Sequence, residues 1–234
     1  FPHAFFEASS IRRVDGKYCF VYSSQYNHDL CYAMSDYPDR DFTYGGVLID
    51  LGDLYLSGNT DESHASNYLG NTHGGLLNIG DDWYIFYHRQ TNRNSYARQA
   101  CAEKLERTPE GGFKQAELTS CGLNGGPLKG EGRYEARIAC NLWAGGHRTA
   151  LIDKGKKMTE GHPYFTRTGK DREENGDQYI ANMQDGAVAG FKYFRMGEAD
   201  RIGIEIHGNG EGVFDVSDDK SFGRICAKIP VKVN

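Results

Sequence analysis

The chain has 234 residues, a net charge of -5 and a sequence pI near 5.9, a balance that excludes the basic stripe of a nucleic-acid binder. Glycine (30), tyrosine (15) and phenylalanine (12) are abundant and proline (6) is scarce, the profile of many short strands joined by tight turns. No apolar run approaches the ~20 residues that span a bilayer. The six cysteines, Cys19, Cys31, Cys101, Cys121, Cys140 and Cys226, form no CxxC pair and match no zinc spacing, so most are expected as free, buried thiols.

In chain order, an apolar run over 11–14 is followed by a Gly/Asp turn and an aromatic, β-branched strand over 18–24. Strands are expected next at 30–35 and 42–49. The pattern then recurs: an apolar run over 76–79, a turn at Gly80, a strand over 83–89 and a further strand over 97–104. Asp15 overlies Gly80 without gaps at an offset of 65 residues. Two hairpin signatures at one offset, each extended by a further strand, read as two blades of a β-propeller. In a propeller the first strand of every blade lines the central axis. The segments 5–10 and 70–75 therefore start their blades at the same place, and Glu7 and His73 are expected to point into one axial cavity.

The stretch 121–132, with five glycines and a proline, reads as a domain boundary. It separates a first domain over 1–120 from a second over 121–234. Strand-like runs follow at 134–142, 178–183, 187–194, 201–207, 213–216 and 225–231, with a charged long loop expected over 154–176. Their spacing is that of a β-sandwich, so the fold class is all-β, a partial propeller followed by a sandwich.

Three segments in this order, FFEASSIRR at 5–13, GNTHGGLL at 70–77 and WYIFYHRQTN at 83–92, resemble the second half of the five-bladed propeller of glycoside hydrolase family 43. That family includes β-xylosidases, α-L-arabinofuranosidases and arabinanases. The later segments ENGDQYIAN and DGAVAGFKYF look like a family 6 carbohydrate-binding module, a β-sandwich that stops early at Asn234. The resemblance implies an inverting glycosidase acting on xylose- or arabinose-containing plant cell-wall oligosaccharide or polysaccharide, with no nucleic acid or membrane as partner. Inversion uses a carboxylic acid that protonates the leaving oxygen and a carboxylate that activates water, roughly 6.5–9.5 Å apart.

By that resemblance Glu7 is the general acid. Phe5 and Phe6 beside it are expected to supply the apolar setting that raises a carboxyl pKa. His73 matches the histidine on the cavity floor, facing a hydrated calcium ion, and Arg89 matches an arginine that contacts sugar hydroxyls or the acid. His88 is expected on the opposite face of its strand from Arg89 and outside the site. The family's base and its pKa-tuning aspartate have no counterpart in this sequence. The expectation is a chain truncated at both ends that carries the acid without the base and is inactive alone. The alternatives are a non-catalytic carbohydrate-binding protein, with sugar stacking on Trp143, Tyr164 or Tyr179, and a structural domain that uses a propeller edge.

Overall fold

The computed structural model describes residues 1–26, 28–56, 58–152, 161–169, 176–219 and 223–233. The fold is all-β, with 45% of residues in strands and 4% helical. It divides into two compact units, one of Phe1–Leu128 with Gly132–Arg195, the other of Lys129–Glu131 with Met196–Asn234.

The first unit opens with a four-stranded antiparallel meander, β1 (Phe5–Val14), β2 (Lys17–Ser24), β3 (Asp29–Ser35) and β4 (Thr43–Asp50). A three-stranded meander follows, β5 (Gly74–Ile79), β6 (Asp82–Gln90) and β7 (Arg98–Leu105). The expected repeat is reproduced in register: β2 begins at Lys17 and β6 at Asp82, 65 residues apart, each as the second strand of its sheet. Both first hairpins close through two residues. Val14 pairs with Lys17 around Asp15-Gly16, and Ile79 with Asp82 around Gly80-Asp81. Asp15 and Gly16 both have positive φ (50° and 86°), whereas in the second turn only Gly80 does (63°). These are the type I′ and II′ choices that suit the twist of paired strands.

Both sheets contribute to one core, in which Val21, Leu30, Leu48, Ile49, Leu76 and Ile85 are at most 1% exposed. Each such side chain stabilises the fold by about 1.5–3 kcal/mol through its burial. The first strands of the two sheets run close together. A Cβ on Gly75 would lie 3.0 Å from the Ser10 hydroxyl oxygen, and one on Gly74 would lie 2.0 Å from the Phe86 carbonyl oxygen.

Beyond β8 (Leu128–Lys129), the first unit continues with β9 (Asn141–Trp143), β10 (Tyr164–Arg167), β11 (Gln178–Ala181), β12 (Val188–Gly190) and β13 (Phe194–Arg195). β9 pairs with β12 and β10 with β11. Residues 132–195, placed in a second domain by the sequence reading, cluster with the first 128. Backbone bonds stitch them there: Leu142 N–H to Ser66 O (2.9 Å), Ile152 N–H to Leu69 O (2.8 Å) and Asn92 N–H to Phe165 O (2.9 Å). Tyr68, Ala139, Leu142, Ile152 and Phe165 form a second buried cluster across that seam. The long loop expected over 154–176 lies mostly outside the described residues; 164–167, inside it, are strand β10.

The second unit contains one hairpin, β14 (Gly210–Ser217) with β15 (Ile225–Val233). Both had been expected as strands. The run 201–207 is not a strand, because Ile202 and Ile204, 49% and 41% exposed, have no sheet to join.

Candidate functional site

Glu7 and His73 meet. The Nε2 of His73 lies 3.0 Å from Oε1 of Glu7, joining the first strand of one sheet to the residue just before the first strand of the next. Two local features aim Glu7. Its pairing with Ser23 is flanked by register shifts on both sides, and Ala8, the next residue, has φ of 59°. Such a bulge re-aims a side chain out of strict alternation, and a positive φ at a residue with a Cβ is strain typical of functional positions. The carboxylate is 45% exposed and the His73 ring 34%. The apolar setting expected from Phe5 and Phe6 is absent: both rings are about half exposed (53% and 52%), and Phe5 packs on Phe20 and Tyr22.

Arg89 is not brought to this pair. Its Nε donates to Gln99 Oε1 (3.0 Å), one terminal nitrogen to Ala139 O (2.7 Å) and the other to Arg137 O. Its guanidinium carbon lies 3.5 Å from the centre of the Phe165 ring. Those contacts hold residues 137–139 and β10 against β6, and each nitrogen position of the guanidinium already donates.

His88, which the sequence reading left out, stands beside His73 instead, with ring centroids 5.2 Å apart in an edge-to-face arrangement. The register explains it. Gly74 pairs with Tyr87, so the residue before Gly74 falls opposite the residue after Tyr87. Arg89 and His88 point to opposite faces, as strand alternation requires, and it is His88 that stands beside His73. Among the described residues neither ring nitrogen of His88 has a hydrogen-bond partner, and the same holds for Ser23 Oγ. Ser23 and His88 occupy equivalent positions of the repeat, each beside the site residue of its sheet. Burial, reinforced by Arg98 and His73, pushes the His88 pKa down to about 3. His88 is therefore a neutral neighbour for His73.

A cavity of about 230 Å³ is lined by Phe6, Gln25, Tyr26, Glu62, Gly70, Leu151 and Ile152; neither Glu7 nor His73 lines it. It combines two aromatic faces with one carboxylate and one carboxamide, a mixture suited to a polyhydroxylated ligand. As a calcium ligand His73 fits poorly: calcium takes oxygen donors, and the His73 Nε2 already faces Glu7. Among the described residues it joins no group of three metal-binding side chains.

No family model matches the chain. Among curated proteins it is 43% identical, over 230 residues, to a xylosidase/arabinosidase of Thermoclostridium stercorarium, a match covering 98% of this chain and 48% of that protein. A β-xylosidase of Xylanibacter ruminicola is 35% identical over 115 residues, covering 48% of this chain and 31% of that protein. The chain thus spans about half, or less, of the length of the curated relatives it matches. Among solved structures, the RS223 β-xylosidase gives a TM-score of 0.39 at 28% identity, over 49% of this chain and 31% of that one.

Proposed function

We propose, from the likeness to xylosidases and arabinosidases together with the family 43 motifs, that this chain belongs to an inverting glycoside hydrolase acting on xylose- or arabinose-containing oligosaccharides, with Glu7 as its general acid. The observation that carries the reading is the 3.0 Å contact of Glu7 with His73. It joins Glu7 to the neighbour of Thr72, the residue that overlies Glu7 in the repeat, and both partners lie in the family motifs.

In this reading the Glu7 carboxyl gives its proton to the glycosidic oxygen as the C–O bond breaks. Water activated by a second carboxylate attacks the anomeric carbon from the opposite face. No residue of this chain is assigned as that carboxylate. His73 orients the Glu7 carboxyl through Nε2, and neutral His88 backs His73 without adding charge. Phe6 and Tyr26 offer faces for a sugar ring in the cavity they line. Arg89 belongs to this proposal only as a support of the site's rear wall. His73 does not fit calcium as a direct ligand, and no step is derived through that ion. The division into propeller blades over 1–120 and a carbohydrate-binding-module-like sandwich over 121–234 belongs to the same proposal, with 132–195 packed against the blades.

The test uses the full-length protein and aryl glycosides of graded leaving-group pKa. Glu7→Gln is expected to cut turnover of substrates with poor leaving groups by about 10²–10⁴-fold and to spare activated aryl substrates, which need little proton assistance. Equal losses on both classes, or none on either, would remove Glu7 from the acid role.

A further inference from the structure

We propose that His3, Asp29 and Cys31 form a zinc-binding site that fastens the segment leading into Glu7 onto β3. The site is separate from the proposed catalytic pair and does not depend on the glycosidase reading.

The three side chains each offer one ligand atom, and these atoms all lie within 4.8 Å of one another. His3 Nδ1 is 3.0 Å from Asp29 Oδ2. Two ligand atoms on one tetrahedral zinc stand about 3.3–3.6 Å apart, given bonds of about 2.0–2.3 Å, so the trio would have to settle to that spacing around one ion, with water as its fourth ligand. Asp29 and Cys31 are two apart on β3 and share a face of the strand. His3 is delivered by the preceding segment, which is itself tied down: the Tyr22 hydroxyl donates to His3 O (2.8 Å) and Gln25 N–H to Ala4 O (3.0 Å).

The surroundings are those of a built site. The side chains of Asp29 and His3 are 0% and 18% exposed, and Cys31 is fully buried. Asp29 and His3 each have an outer partner. Ser24 Oγ donates to the other oxygen of Asp29, and the Tyr44 ring stacks on His3 at 5.7 Å. Such partners orient ligands and tune the metal. A thiol, an imidazole and a carboxylate together suit zinc rather than calcium or magnesium, which prefer oxygen donors alone. The ligands share no motif because one comes from an unpaired segment and two from a strand.

The test is cobalt and zinc titration of the full-length protein carrying Cys226→Ser, which removes the exposed thiol. One equivalent of zinc retained after dialysis is expected, with a near-ultraviolet cobalt–thiolate band that disappears in Cys31→Ala. Ser24→Ala should weaken cobalt binding about ten- to a hundredfold. If Cys31→Ala does not fold, His3→Ala, at the rim of the site, takes its place and should lose the retained zinc. Absence of the band, or its survival in a folded Cys31→Ala variant, would overturn the proposal and leave a hydrogen-bonded histidine–aspartate–thiol cluster.

Discussion

Glu103 shows how burial can outweigh good hydrogen bonding. Its carboxylate accepts from the Thr119 N–H (2.7 Å) and hydroxyl (2.6 Å), yet burial drives its pKa from 4.5 up to about 8. Unfolded, the group ionises near 4.5. Folded, it stays protonated until about 8. Its stabilising contribution is therefore complete below pH 4.5 and lost as pH rises through 8. Glu103→Gln is expected to flatten the fall in melting temperature over that window, as followed by circular dichroism. His88 has the opposite sign. Its pKa is depressed to about 3, so the stability it confers is present above the unfolded value of 6.5 and drains away as pH falls towards 3. His88→Phe keeps the ring edge against His73 and removes two unpartnered nitrogens. It should raise stability at pH 5 relative to the parent and leave a smaller gain, about 1–3 kcal/mol, at pH 7.5. A variant less stable at both pH values would show that those nitrogens have partners in solution.

At the scale of strands, the glycines that start β5 fix how closely it can lie to its neighbours. At Gly74 a methyl group would meet the Phe86 carbonyl at 2.0 Å and Leu30 Cδ1 at 2.8 Å, so Gly74→Ala is expected to cost about 1–3 kcal/mol by overpacking. Gly80 is different, with open space around it and only its φ of 63° to object. Gly80→Asn, which tolerates that conformation, should be close to neutral in denaturant melts, and the contrast between the two separates packing from backbone strain. The strands over 17–24 and 82–90 and the turns before them were legible in the sequence because turn chemistry and aromatic alternation are local signals. The Glu7–His73 meeting was legible because the repeat carried it. What could not be read was strand parity at the end of β6. Whether His88 or Arg89 faces the site depends on pairing with a segment some fifteen residues earlier, and alternation alone leaves both options open.

For the whole molecule, the glycine-rich stretch at 121–132 looked like a boundary, yet the chain packs back across it. Lys192 Nζ reaches Asp53 (3.2 Å) and Glu117 (2.6 Å), and the Tyr193 hydroxyl donates to Glu117 (2.7 Å). These are long-range contacts that no local pattern announces, and burial holds Asp53 at a pKa of about 6 despite the lysine. A chain ending at residue 120 would strip Tyr68 of Leu142, Ile152 and Phe165. It is expected to be cleaved faster in limited proteolysis than one ending at residue 195; equal resistance would show that residues 121–195 add nothing to the stability of the first 120.

All six cysteines are unpaired, and Cys19, Cys31 and Cys140 are buried. Covalent cross-links therefore contribute nothing to the described architecture. Dithiothreitol should leave the melting curve of the metal-free protein where it was. Cys226, the exposed thiol, has a different fate: under air it is the sulfur free to join two molecules, so slow covalent dimerisation on storage should be abolished by a single serine at that position.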